Sequence, residues 1–90
     1  MLFRSREGPP ELQVWAKRLK DGARAVALLN RGDTAAKITA RFDRLGLRTD
    51  SATVRDLWAR ADRGAFRREY AATVPGHGVA MLRVTPIRAK

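Results

Sequence analysis

Residues 12–30 read LQVWAKRLKDGARAVALLN, two strand-like apolar runs joined by a KDGA tetrapeptide at residues 20–23. An Asp-Gly pair between two such runs is a strong hairpin signal, because glycine adopts the positive φ that tight hairpin turns require. A second cluster of turn formers, NRGD at residues 30–33, predicts another chain reversal. Residues 36–42 (AKITARF) then alternate apolar with polar side chains, as a strand with one buried face does. We therefore expect a three-stranded meander over residues 12–42.

The second half of the chain carries further strand patterns. Residues 52–58 (ATVRDLW) lose their alternation partway along, which predicts a β-bulge in a strand that ends at Trp58. Residues 66–74 (FRREYAATV) predict one strand, and residues 79–84 (VAMLRV) predict the last one. A tight turn at residues 75–78 (PGHG) should join these two strands, with its proline and glycines in unusual backbone angles.

The fold class follows from the near absence of helical patterns. Only residues 43–47 (DRLGL) look helical, and they are enough for one turn that ends at a glycine. Parallel strands need long crossover connections, so six or more strands without helices should be mainly antiparallel. We expect an all-β protein, an antiparallel β-sandwich with Greek-key character and no long helix, over residues 12–86. Residues 1–11 should form a flexible linker or tail, and residues 87–90 a frayed C-terminus.

The apolar members of these strand patterns should form the core between the sheets. The expected core residues are Val14, Val26, Leu28, Ile38, Val54, Leu57, Val79 and Leu82.

Length and composition exclude several protein classes. Ninety residues suffice for one domain with a modest core. The chain has no cysteine, which excludes disulfides and thiol chemistry. Its apolar runs are too short for a membrane span, and we expect neither a transmembrane helix nor a signal peptide.

The formal net charge of +10 raises the question of a nucleic-acid site. Nucleic-acid-binding sheets also present several exposed rings that stack on bases, and rings are few in this chain. Most of its strand arginines occupy the polar positions of successive strands, which favours a solvated surface over a specific nucleic-acid or membrane partner. These arginines are Arg18, Arg24, Arg41, Arg55, Arg67 and Arg83.

Residues able to carry catalysis or bind a metal are sparse. The single histidine, His77, lies between two glycines in a turn, where a local hydrogen bond is the expected role of its ring. Asp56 and Asp62 lie in a charged segment and should be solvated or paired with Arg60 and Arg63. Phosphate-binding loops and nucleophile elbows are absent from the sequence. We expect no catalytic residue, no metal site and no cofactor.

Three aromatic residues, Trp15, Trp58 and Tyr70, are the candidate site residues. Exposed on one face, they would form a platform for the apolar face of a sugar ring. In a small sandwich such rings more often lie in the core or at a domain interface, because each buries a large area. The sequence leaves both roles open.

Several short segments occur in an order and at intervals that are typical of one family. They are residues 12–17 (LQVWAK), 21–22 (DG), 25–33 (AVALLNRGD), 45–47 (LGL), 52–58 (ATVRDLW), 70–79 (YAATVPGHGV) and 82–84 (LRV). Over residues 12–86 this pattern resembles the carboxy-terminal domain of α-galactosidases of glycoside hydrolase family 27. The chain departs from the family at Arg18, where relatives often carry proline, and at the charged cluster of residues 67–69.

The resemblance implies a fold, a partner and a role. In that family the domain is an antiparallel β-sandwich packed against a preceding (β/α)₈ barrel, and the barrel holds both catalytic aspartates for retaining hydrolysis of α-D-galactosides. The expected function is therefore a non-catalytic accessory domain that packs against and stabilises such a barrel. A carbohydrate-binding module is the alternative and would need exposed aromatic rings. A basic nucleic-acid-binding domain would need clustered arginines.

Overall fold

The computed structural model describes residues 2–5, 11–47 and 49–87, and this part of the chain consists of strands, turns and loops without a helix. The described residues form eight strands, so the all-β prediction is confirmed. The eight strands are β1 (Leu2–Ser5), β2 (Leu12–Arg18), β3 (Arg24–Asn30), β4 (Ala36–Arg41), β5 (Ser51–Asp56), β6 (Ala61–Arg67), β7 (Glu69–Val74) and β8 (Val79–Pro86).

The strands form two antiparallel sheets. The large sheet has six strands in the order β1-β2-β3-β8-β5-β6, and the small sheet pairs β4 with β7. The small sheet covers β2, β3 and β8, so the chain passes repeatedly between layers, in Greek-key fashion. The predicted sandwich is thus confirmed, but the predicted meander is wrong at its third strand, since β4 leaves β3 and pairs with β7. The alternating pattern of β4 fits either sheet and does not specify the partner strand.

The core lies between the inner faces of the two sheets and is built from small and branched side chains. Two expected core residues lie elsewhere: Leu57 is 37% exposed and Val79 is half-buried. Leu57 lies beside Met81, to which its N–H donates at 2.9 Å, and Met81 faces away from the core. The core cluster consists of Val14, Ala16, Val26, Leu28, Ile38, Ala40, Phe42, Leu45, Ala52, Val54, Val74, Leu82 and Val84.

The segment predicted as a single strand over residues 66–74 is two strands in different sheets. Arg68 separates β6 from β7 with a φ of 70°, and at this residue the chain crosses from the large to the small sheet. The predicted bulge is present in the pairing of β5 with β6: Val54 is opposite Gly64, whereas Arg55 is opposite Asp62. The extra residue belongs to β6, and the strand β5 ends at Asp56 rather than at Trp58.

The ends of the chain and the turn before β8 also differ from expectation. Leu2–Ser5 pairs with β2 as an edge strand, so the prediction of a linker or tail is wrong for these residues, while residues 6–10 and 88–90 lie outside the described part. In the turn before β8 the positive φ belongs to His77 (58°), not to a glycine. Gly76 is needed there for close approach, since a Cβ would lie 2.4 Å from the Asp33 carbonyl oxygen.

The first hairpin turns as its Asp-Gly pair predicts. Gly22 has a φ of 89°, and its N–H donates to the carbonyl oxygen of Leu19 at 3.2 Å. The Ala23 N–H donates to Asp21 Oδ1 at 3.0 Å, which lowers the pKa of this carboxyl. This is a three-residue loop with glycine in the left-handed position, one of the common hairpin connections.

We expect Gly22→Val to lower the free energy of unfolding by roughly 1–3 kcal/mol, because a β-branched residue is strained at positive φ. Asp21→Asn is the control and should be nearly silent, since an amide keeps the Oδ1 acceptor and loses only a surface ion pair with Arg83. Urea unfolding of the 90-residue chain measures both. Equal stability of the two variants would contradict this account of the turn.

Candidate functional site

The outer face of the large sheet, which turns away from the small sheet, carries an apolar patch. The register places Trp15 of β2 opposite Ala27 of β3 and Ala27 opposite Met81 of β8, while Leu29 lies opposite Val79 in the neighbouring row. On β3, Val26 and Leu28 are fully buried on the inner face. Because side chains alternate along a strand, Ala27 and Leu29 and the residues opposite them face outward. We call this set the outer patch; it consists of Trp15, Ala27, Leu29, Leu57, Val79 and Met81.

An antiparallel sheet with one solvated face normally presents polar side chains on that face. The outer patch departs from this rule, since its members are apolar and half-buried, apart from the more exposed Leu57. Its centre, Ala27, is small, which leaves room for another surface to approach the backbone. A contiguous apolar area of this kind typically marks an interaction surface.

Charged side chains border the outer patch on the same face. Arg83 lies opposite both Ala25 and Arg55, one row further along the sheet. The Arg55 Nη1 atom lies 3.0 Å from Asp62 Oδ1, and Arg83 pairs with Asp21. These two arginines therefore have acidic partners within the domain, and the outward apolar residues remain the distinctive feature of the face.

Trp15 is held within the outer patch by its own strand. Its indole Nε1 donates to Gln13 Oε1 at 2.9 Å, and Gln13 is buried. The ring is half-buried and has its polar atom engaged inside the domain. It can therefore contribute apolar contact area to a partner, with its orientation already set.

Trp58 lies in the turn between β5 and β6 and is 65% exposed. Asp56 Oδ1 accepts hydrogen bonds from the N–H groups of Trp58 (3.1 Å) and Ala59 (2.9 Å), and Asp56 Oδ2 lies 3.3 Å from Arg63 Nη2. The Ala59 N–H, together with the Arg63 guanidinium, holds the pKa of Asp56 below its ordinary value. Arg60 completes the turn with a φ of 52°.

Tyr70 lies on the inner face of the small sheet, opposite Ala40 and against the core. Its ring meets that of Phe66 edge-on, with centroids 4.8 Å apart and an interplanar angle of 71°. The three aromatic residues singled out from the sequence are therefore not brought together as one platform. Trp15 and Trp58 remain as candidates for an external contact.

The polar candidates form ion pairs and show no catalytic arrangement. Asp56 pairs with Arg63 as expected, but Asp62 pairs with Arg55 rather than with its sequence neighbours. His77 Nε2 lies 2.9 Å from the exposed Asp33 Oδ1 in another loop, so its hydrogen bond is not local as expected. Within the described ranges no group of three acidic, histidine or cysteine side chains is placed to hold a metal ion, and no helix is long and apolar enough to cross a membrane.

Three polar residues that the sequence did not single out as buried are buried in the structure: Gln13 on β2, and Arg24 and Asn30 on the inner face at the two ends of β3. The sequence predicts Arg24 at a polar, outward position, and the structure shows that this prediction is wrong. Asn30 Nδ2 donates to the carbonyl oxygens of Thr34 and Val74, both at 2.9 Å, and Asn30 Oδ1 accepts from the Gly32 N–H at 2.9 Å. Arg24 and Asn30 share the alternation phase of Val26 and Leu28 along β3, and this phase was the signal in the sequence that their side chains face the core.

Comparisons with known proteins agree with this architecture. A family model described as the alpha galactosidase C-terminal beta sandwich domain matches residues 10–84. An α-galactosidase from Coffea arabica is 39% identical over 77 residues, which cover 84% of this chain and 20% of that enzyme. An isomalto-dextranase from Arthrobacter globiformis is 41% identical over 87 residues, which cover 93% of this chain and 13% of that enzyme.

A solved structure shows the same fold. The crystal structure of α-galactosidase I from Mortierella vinacea superposes with a TM-score of 0.81 at 33% identity, covering 92% of this chain and 22% of that chain. This chain thus spans about a fifth or less of the proteins compared with it here. It belongs to the family of α-galactosidase C-terminal β-sandwich domains.

Proposed function

We propose that this chain is a non-catalytic accessory domain of a glycoside hydrolase, and that its outer patch packs against and stabilises a (β/α)₈ catalytic barrel. The observation that carries the proposal is the apolar character of the outward side chains of β3 and β8, at the centre of the large sheet. Burying them against a second domain removes apolar area from water, the main favourable term in domain association.

The small share of each relative that the domain spans supports a partner within the same polypeptide. Most of each relative lies outside the matched region, so a partner domain is available in the same polypeptide. None of the cavities described for residues 11–47 and 49–87 is lined by a member of the outer patch, which suits packing on another folded domain better than enclosing a small molecule.

The parent enzyme is proposed to be a retaining glycosidase that acts on α-D-galactosides. Hydrolysis of dextran is the second candidate, because the isomalto-dextranase is 41% identical over more of this chain than the coffee α-galactosidase. Retaining hydrolysis of either substrate needs two carboxyl groups about 5 Å apart across the glycosidic bond, inside a cleft. Asp56 and Asp62 each pair with an arginine, so the isolated chain should turn over neither substrate.

Sugar binding by the domain itself is the alternative function, and the exposure of Trp58 is what favours it. A binding platform normally uses more than one ring, and Tyr70 faces the core. A nucleic-acid site has less support than a sugar site, because it would need clustered arginines. Arg55 and Arg83 lie on the large sheet, Arg41 lies on the small sheet, and Arg24 lies in the interior.

The proposed packing predicts a variant that affects the assembled enzyme more than the domain. Met81→Glu places a charge in the centre of the outer patch, where the isolated domain leaves the side chain half-exposed. We expect the midpoint of thermal unfolding of the full-length enzyme to fall by about 1–2 °C, which corresponds to a loss of about 1–2 kcal/mol in an enzyme of that size, while the free energy of unfolding of the isolated domain changes by less than about 0.5 kcal/mol. Calorimetry of both proteins measures the difference.

Thr73→Glu is the matched control, because Thr73 is exposed on the opposite side of the sandwich. It should leave both proteins nearly unchanged. Deletion of the whole domain should lower thermal stability more than kcat. If Met81→Glu and Thr73→Glu behave alike in the full-length enzyme, the outer patch is not the packing surface and sugar binding becomes the better candidate.

A further inference from the structure

We propose that Trp58 is the anchor of this domain interface, inserted into an apolar pocket of the catalytic domain that also accepts a hydrogen bond from its indole N–H, and that Asp56 positions it. The inference rests on the proposed function and deepens it, because it assigns a dominant residue and the chemistry of the complementary site. Interfaces of this kind depend on a few buried aromatic or arginine side chains, with tryptophan prominent among them.

The exposure of the Trp58 side chain is the first reason to assign it as the anchor. Among the described large apolar residues classed as exposed, Trp58 is 65% exposed, against 41% for Ile87 and 37% for Leu57. Because Trp58 directly follows Leu57, a member of the outer patch, it extends a contiguous apolar surface, and such a surface typically marks an interaction site.

The rigidity of the turn that carries Trp58 is the second reason. Asp56 Oδ1 accepts the N–H groups of both Trp58 and Ala59, and its other oxygen is held by Arg63. Arg60 is a non-glycine residue in the left-handed region, a strained conformation that is retained at this turn. The backbone that carries Trp58 is therefore already ordered, so binding costs little backbone entropy at this turn.

Position identifies the occupant as a protein surface. The Leu57 N–H donates to the Met81 carbonyl oxygen at 2.9 Å, so β5 continues beside β8 and the turn begins within the outer patch. A surface that covers Met81 therefore extends towards Trp58. A sugar would also need several free polar groups around the ring, and four of the charged residues near the turn, Asp56, Arg63, Arg55 and Asp62, already form two ion pairs, which leaves Arg60.

The two tryptophans differ in their polar atoms. The indole N–H of Trp15 is bonded to Gln13, whereas the hydrogen bond that Trp58 makes to Asp56 comes from its backbone N–H, and its ring is exposed. A buried tryptophan normally has its N–H satisfied, so the pocket that receives Trp58 must supply an oxygen acceptor.

The test compares the full-length enzyme with the isolated domain. Hydroxyl-radical footprinting should show Trp58 strongly protected in the full-length enzyme and reactive in the isolated domain. Trp58→Ala should speed thermal inactivation of the full-length enzyme roughly tenfold, in the range of an interface anchor, while hardly changing the unfolding midpoint of the isolated domain. Trp58→Phe should lie between, because it keeps the ring and loses the donor.

Asp56 is tested as a positioning residue through its conservative variant. Asp56→Ala should reproduce part of the effect of Trp58→Ala on thermal inactivation of the full-length enzyme. Asp56→Asn should inactivate at nearly the rate of the unmodified enzyme, because the amide oxygen still accepts the two turn N–H groups. If Asp56→Asn and Asp56→Ala are equally impaired in the full-length enzyme, the positioning role is wrong.

Met81→Glu separates this inference from the proposed function. If Met81→Glu destabilises the full-length enzyme but Trp58 stays reactive and Trp58→Ala is silent, the domain packs as proposed without this anchor. If both variants are silent, the packing itself is wrong. Retention on dextran or galactomannan in affinity electrophoresis that is lost in Trp58→Ala, with Trp58 unprotected in the enzyme, would overturn the inference in favour of a sugar platform.

Discussion

Leu28→Ala is expected to lower the free energy of unfolding of the domain by about 2–5 kcal/mol, the range for a large-to-small change in a closed core. Leu28 is fully buried at the centre of β3, opposite Val14 on one side and Ala80 on the other. The small sheet covers it from above. Because strands surround the site on both sides, the structure has little freedom to collapse into the cavity that the substitution leaves.

Leu29→Ala is the matched control, since it makes the same chemical change one residue further along the same strand. Leu29 lies in the half-buried outer patch, and its truncation should cost less than about 1 kcal/mol in the isolated domain. In the full-length enzyme the cost of Leu29→Ala should rise, whereas that of Leu28→Ala should not. Denaturant unfolding with linear extrapolation gives both values. Equal costs in the isolated domain would mean that the two faces of β3 are assigned the wrong way round.

Much of the strand content was predictable because alternation is a local property. In β4 apolar and polar residues repeat with a period of two, while β2 and β3 are short apolar runs bounded by turn residues, and both patterns indicate strands. The Asp-Gly pair likewise encodes its own turn, since only the backbone of a few neighbouring residues decides its geometry.

Strand pairing could not be predicted in the same way. The pattern of β4 states which side is buried but not whether β3 or β7 lies beside it, and that choice depends on contacts distant in sequence. The strand β6 (ADRGAFR) has almost no alternation, because it lies at the edge of the large sheet and most of its side chains are exposed. The position of β6 is set by its pairing with β5 and by the bulge at Arg63.

Only part of the candidate site could be predicted from the sequence. Trp15 and Trp58 were singled out as large aromatic residues, but no local signal distinguished them from Tyr70, which packs towards the core. The outward apolar residues of β8 were present in the sequence, and Val79 was assigned to the core because an apolar residue in a strand fits either a core or an interface. Contacts between residues distant in sequence determine which face of the large sheet packs against the small sheet.

The second large effect is expected at Arg24, which closes one end of the core. Its Nε donates to the Leu45 carbonyl oxygen at 2.8 Å, and its two Nη atoms donate to those of Gly22 (2.8 Å) and Gly46 (3.0 Å). Arg24→Met keeps the length and apolar stem of the side chain but leaves these oxygens without their donors. We expect a loss of roughly 2–4 kcal/mol, as for hydrogen bonds from a charged group to partly buried acceptors.

Arg18→Met is the control because Arg18 lies directly opposite Arg24 across the hairpin and is exposed. Burial, and secondarily the charge of Arg18, lowers the pKa of Arg24, so removing Arg18 relieves a repulsion and should leave stability unchanged or slightly raised. Arg24→Lys should recover only part of the loss, since an ammonium group cannot reach carbonyls in three directions as the planar guanidinium does. If Arg24→Met is as stable as Arg18→Met, the carbonyls of the turns at this end are satisfied by water, and the buried arginine fills space without bracing the turns.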